Sequence, residues 1–212
     1  IPGNVGIGTS NPRSNLDVFG NMSVGALEVY GDVLINGITA GKGTGNSDYN
    51  TVFGKDALTV NSGHYNTAIG YEALEDNTTG DQNTAIGNLA LHSNTTGYQN
   101  TAIGYQALQN NTTGQNNTAI GRQAGRSNTD GSNNTFIGHS SNTQSNCSNS
   151  TALGYEAKIT KSDQIVLGKS TTPPEVYIPG NLGIGTTNPT KKLEVNGDVL
   201  INGDALINGI TV

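Results

Sequence analysis

The chain of 212 residues has no tryptophan, a single cysteine and only 12% charged residues. With Cys147 alone, no intrachain disulfide can staple the fold, and cysteine usage says nothing about redox compartment. No long, unbroken apolar run occurs, so neither a membrane-inserting segment nor a secretory leader is expected. The formal charge is -6, and the stretch from Asp56 to Ala119 contains no lysine or arginine, which leaves no basic stripe for a nucleic acid. Hydrophobic residues make up 33% of the chain, too few for one ordinary globular core of this length.

Turn-forming residues are abundant instead: 30 glycines and 29 asparagines, together 59 of 212 positions. They recur in order. Aligned on Asn-Thr-(small)-Ile-Gly, the sequence reads "NTVFG" from Asn50, "NTAIG" from Asn66, Asn83, Asn100 and Asn117, and "NTFIG" from Asn134. Degenerate copies follow as "STALG" from Ser150 and "DQIVLG" from Asp163. From Asn66 to Asn134 the starts are evenly spaced, and the interval from Asn50 to Asn66 is shorter by a single position. So regular a period is the signature of a solenoid in which each repeat is one coil stacked on its neighbours.

Within "NTAIGYEAL" the residues fall into alternating sets, Thr67, Ile69, Tyr71 and Ala73 against Ala68, Gly70, Glu72 and Leu74. Glycine and "NTTG" confine "YEALED" to a segment too short for an isolated helix, so short strands joined by turns are expected. Strands about 4.8 Å apart make eight copies a segment roughly 35–40 Å long. The repeated Asn66, Asn83, Asn100 and Asn117 would then lie above one another and hydrogen-bond along the stack. One Ile, one Leu and a few Ala per coil bury little apolar area, and the flat Ala-Gly face invites close approach of other backbones; homotrimerisation is the expectation.

A second repeat frames the first. "IPGNVGIGTSNPRSNLDVFG" from Ile1 returns as "IPGNLGIGTTNPTKKLEVNG" from Ile178. Both copies run into a short rhythm of Gly and Asn-Gly, which fits either hairpins or chains intertwined with partners. Pro173-Pro174 interrupts the chain between roll and frame. The organisation read from sequence is a β module over 1–43, a repeat roll over 44–172 and a second β module over 173–212.

These motifs carry a resemblance. Tandem "NTAIG" coils resemble the head repeats of trimeric autotransporter adhesins. "GNVGIGTSNP", "SDQIVLGKSTTPPEVYIPG" and "GNLGIGTTNPTKKLEVNGDV" resemble modules that surround such rolls in fibre and spike proteins of tailed phages and large DNA viruses, a resemblance that covers essentially the whole chain. The resemblance implies an all-β, elongated homotrimeric fibre, with a repeat β-roll or solenoid flanked by short-strand intertwined β modules. It implies a structural segment at a virion surface or otherwise extracellular, holding or contributing to attachment to a host glycan or protein. A bacterial trimeric adhesin head is the alternative, and an ice-binding solenoid, motivated by the recurring pairs Thr78-Thr79, Thr95-Thr96 and Thr112-Thr113, a remote one.

No motif in the sequence assembles catalytic chemistry. "LGKST" at 167–171 has Asp163 where a phosphate loop needs glycine, and "TTPPEV" forbids the helix that should follow. His64, His92 and His139 lie far apart with no second His or Cys at metal-ligand spacing, and Glu72, Glu75, Asp76 and Asp81 read as solvated loop edges. No enzyme, cofactor or metal is expected. Tyr71, Tyr98, Tyr105 and Tyr155 are candidate carbohydrate or receptor contacts, because an aromatic face stacks on sugars. Among the many Asn-x-Ser/Thr sequons, Asn77, Asn94 and Asn111 are candidate glycosylation sites.

Overall fold

The computed structural model describes residues 5–7, 10–11, 16–18, 33–35, 38–43, 49–144, 146–169, 171, 176–198, 206–207 and 210–211. The chain forms two compact units, Ile1–Ser170 and Thr171–Val212. Every regular element among the described residues is a β-strand. No helix there is long and apolar enough to cross a membrane.

In the first unit, β1 (Val5–Ile7) pairs in parallel with β2 (Leu16–Val18). β3 (Val33–Ile35) and β4 (Ile38–Gly41) flank Asn36-Gly37 and pair antiparallel, as that dipeptide signals. β4 continues antiparallel onto β5 (Thr51–Gly54). From there the pairing turns parallel and stays so through β6 (Thr67–Ile69), β7 (Thr84–Ile86), β8 (Thr101–Ile103), β9 (Thr118–Ile120) and β10 (Thr135–Ile137). After β11 (Asn142–Thr143), β12 (Thr151–Leu153) joins β10; after β13 (Lys158–Ile159), β14 (Ile165–Leu167) joins β12. β11 and β13 make a separate parallel pair. The eight sequence copies are therefore the eight stacked strands of a β-solenoid, with Thr67 over Thr84 and Ile69 over Ile86 in unbroken register.

The second unit repeats the first unit's opening. β15 (Leu182–Ile184) pairs in parallel with β16 (Leu193–Val195), and Leu182↔Leu193 is the counterpart of Val5↔Leu16 in the earlier copy. β17 (Leu206–Ile207) and β18 (Ile210–Thr211) pair antiparallel on either side of Asn208-Gly209.

The solenoid strands are shorter than an alternating reading of "NTAIGYEAL" implies. Gly70 adopts φ 135°, and Glu72 and Leu74 adopt φ 53° each, so the chain leaves the sheet after Ile69 and winds through left-handed turns. Both Ala73 and Leu74 consequently point inward and are fully buried, although extension would put them on opposite faces. Ala68 is buried with them, and the same triad recurs one coil on as Ala85, Ala90 and Leu91. The Ala face thus packs inside its own coil rather than against another backbone, and Ile is the strand residue that faces out.

Glycine stacks on glycine where the strands end. A Cβ on Gly104, itself at φ 133°, would lie 2.5 Å from the carbonyl oxygen of Gly121. No side chain fits.

Two buried asparagine columns run the length of the coils. In one, Asn66 donates from Nδ2 to the Gly80 carbonyl at 2.8 Å, while its Oδ1 accepts the Asn83 backbone N–H at 2.9 Å. In the other, Asn77 Nδ2 donates to Asn61 Oδ1 at 2.7 Å and to the Gly80 carbonyl at 2.9 Å, and Asn94, Asn111 and Asn128 continue the chain of amides. Each amide thereby satisfies a turn that would otherwise bury open backbone groups.

Candidate functional site

The stacking register converts recurring positions into surface columns. One column is apolar: Phe53, Ile69, Ile86, Ile103, Ile120, Ile137, Leu153 and Leu167 are successive partners across the sheet. They are 36–53% exposed. Seven intervals of about 4.8 Å make this a stripe roughly 34 Å long. A contiguous apolar stripe of this length is unusual on a monomer surface.

A second column begins just beyond the strand end of each coil: Lys55, Tyr71, Asn88, Tyr105, Arg122, His139, Tyr155 and Lys169. Its members interlock along the stack. Lys55 Nζ lies 5.4 Å from the Tyr71 ring centre and Arg122 Cζ 5.5 Å from that of Tyr105. Arg122 Nη1 meets His139 Nε2 at 2.8 Å, and the His139 and Tyr155 rings stack at 5.5 Å. Lys169 closes the column with its Nζ 5.8 Å from the Tyr155 ring centre, and pairs with Glu156 at 2.5 Å.

The charges along this column tune one another. The Tyr71 hydroxyl titrates above the ordinary tyrosine range because it is hydrogen-bonded to the neighbouring Glu72 carboxylate, and Tyr155 is raised in the same way by Glu156. Glu156 is held below the usual carboxylate range, first by Lys169 and then by Tyr155. Lys169 is raised by Glu156 in return.

Three of the four tyrosines expected to contact a ligand, Tyr71, Tyr105 and Tyr155, thus share one column. Tyr98 stands elsewhere, in register with Asp81 and Gln115, exposed and without a ring contact among the described residues. Tyr155 is in contact with both the His139 ring and the Lys169 ammonium, whereas Tyr98 makes no ring or cation contact among the described residues. The apolar column and the cations Arg122 and Lys169 did not emerge from sequence reasoning; the coil register, applied to every position rather than to Asn alone, would have found them.

Asn77, Asn94 and Asn111 require a correction as glycosylation sites. All three are fully buried, and each Nδ2, the atom a glycan would occupy, donates to the preceding ladder amide and to a glycine carbonyl. A folded coil has no room for a sugar there. Asn110, Asn116, Asn133 and Asn149 carry the same tripeptide on the surface.

Compared with known family models, curated proteins and solved structures, the chain matches none.

Proposed function

We propose that this chain is a structural segment of a homotrimeric fibre at a virion surface, holding a host-binding element away from the particle and contributing to attachment. The observation that carries the reading is the apolar column from Phe53 to Leu167. Each coil already closes its own core of Ala and Leu, so the column is not needed for the solenoid's interior, yet it stays in register over eight strands. Copies of the chain packed along this line would bury it, and their coils would then stack along the fibre as a stiff, protease-resistant rod.

Attachment to a host glycan or protein falls on the surface left outside the trimer. Tyr98 is the first aromatic to test, because its side chain is exposed and makes no ring or cation contact among the described residues. Light scattering tests the assembly: a solution mass of three chains, persisting on an unboiled detergent gel, is expected, and a monomer at every concentration would reject it. Loss of host-cell binding on Tyr98→Ala, with the mass unchanged, would assign the contact; full binding would remove it.

A further inference from the structure

The charged residues of the early coils are not spread evenly. Glu72, Glu75 and Asp76 fall on one coil, and His92 takes the position of Glu75 on the next. The positions matching Glu75 and His92 in other coils carry Thr59, Gln109, Arg126 and Thr143; those matching Glu72 carry Asp56, Leu89, Gln106, Gln123, Ser140 and Glu156, so a carboxylate recurs at that position but only this coil pair sets it beside Glu75 and His92. The repeats otherwise copy one another closely, and this set of side chains occurs once.

Stacking brings the set together. His92 Nε2 lies 3.0 Å from Glu75 Oε2 and 3.6 Å from Glu72 Oε2, and the three ligand atoms fall within 4.8 Å of one another, all half-buried. A divalent transition ion bonds such atoms at about 2.0–2.2 Å, which sets neighbouring ligands roughly 3.0 Å apart in octahedral and roughly 3.4 Å apart in tetrahedral geometry. The two observed separations bracket that range. The other imidazole nitrogen, Nδ1, lies 3.2 Å from Ser93 Oγ and 3.7 Å from Asp76 Oδ2. That leaves Nε2 turned to the carboxylates, with an oxygen partner holding the far side of the ring as metal-bound histidines require.

Backbone bonds fix the frame: the Asp76 N–H donates to the His92 carbonyl at 3.0 Å, so the two coils cannot slide apart. Neutralising charge is scarce. Lys55, on the preceding coil, is paired with Asp56 and placed over the Tyr71 ring. From Asp56 to Ala119 no lysine or arginine occurs.

We infer that Glu72, Glu75 and His92 form a binding site for a divalent transition-metal ion that clamps two successive coils. The mixed carboxylate and imidazole donors fit Zn²⁺, Co²⁺ or Ni²⁺, with water completing the coordination. This site does not depend on the fibre reading.

The test is titration of the untagged, metal-stripped full chain with Zn²⁺ by calorimetry and with Co²⁺ by visible absorption. One ion per chain is expected. His92→Gln and Glu75→Gln place amides where carboxylate or imidazole stood, and the coil after His92 carries Gln109 at the corresponding position, so the fold tolerates them. Each should weaken binding at least about tenfold. His64→Gln and His139→Gln should leave it unchanged, and circular dichroism should match in all five proteins. Absence of saturable binding up to millimolar ion, or binding that survives His92→Gln at full strength, overturns the inference.

Discussion

The coils over residues 66–121 and those over 122–169 are built on one plan with different tolerances. The first group keeps a constant period, with Ala, Ala and Leu inside and asparagine at both corners. In the second group the plan is edited. Phe136 replaces the strand alanine, and Gly125, at φ 62°, replaces the leucine. A Cβ on Gly125 would lie 2.7 Å from the Phe136 ring and 3.0 Å from Leu108, so the large residue has moved from one wall of the core to the other and the volume is conserved. The last coils are also shorter: Thr101 pairs with Thr118, but Thr135 already pairs with Thr151, and Thr151 with Ile165. The extra pair β11–β13 takes up the changed path. The comparison teaches that the solenoid fixes backbone register and total core volume, and leaves the identity of each residue free.

Glycine gives the sharpest contrast and the largest expected effect. Gly104→Ala puts a methyl 2.5 Å from a carbonyl oxygen of the next coil, at a φ alanine rarely adopts, and should cost at least about 3 kcal/mol in a thermal or denaturant melt. At Gly154 the nearest atom is the Gly168 Cα at 3.3 Å, so Gly154→Ala should cost clearly less. Equal losses would show that close stacking is not what selects glycine.

The exchanged pair comes next. Leu91→Ala should destabilise by about 2–5 kcal/mol, because a fully buried leucine leaves a cavity between fixed coils. Gly125→Leu should be comparably damaging through overpacking, and adding Phe136→Ala should recover most of the loss by restoring the arrangement of the earlier coils. Additive losses in that double variant would refute the volume exchange.

Much of this was legible in advance. The strict period located all eight strands, and the second copy of the opening motif foretold that β15–β16 repeats β1–β2; the Asn-Gly rhythm left hairpins and intertwined chains equally open, and β3–β4 and β17–β18 are antiparallel pairs. Asparagine ladders followed from stacking equal residues. The facing of each side chain was not legible, because it depends on where the strand stops. The left-handed turn residues of each coil, such as Glu72, Leu74 and Gln82, are not residues that advertise positive φ, and tertiary hydrogen bonds hold them there. The Glu72, Glu75 and His92 cluster escaped for a related reason: its spacing belongs to the coil, not to any local motif.

A smaller effect separates the middle of the asparagine ladder from its end. Asn94→Ala removes donors to Asn77 and Gly97 and an acceptor for Asn111, and should cost about 1–3 kcal/mol. Asn128 ends the column with its Oδ1 buried and without a donor, so Asn128→Ala should cost less. Equal costs would mean that the ladder bonds carry little.

The smallest effect concerns acid. Glu156 is half-buried and its folded pKa is depressed by Lys169, so its contribution is present above the unfolded glutamate range near about 4.3 and is lost as pH falls through the lower folded value. Acid should therefore loosen the last coil slightly, and Lys169→Met should remove that pH dependence from its amide exchange; an unchanged profile would dissociate the pair from stability.

The central claim is that copies of this chain meet along the column from Phe53 to Leu167. It is tested most directly by attaching pyrene to Ile103→Cys in a Cys147→Ala background, with Gln99→Cys as the control on another column. The account predicts strong excimer emission from position 103 and little from position 99, because labels on an axis shared by three chains lie face to face. Monomer emission alone from position 103, in a correctly folded protein at micromolar concentration, would contradict it.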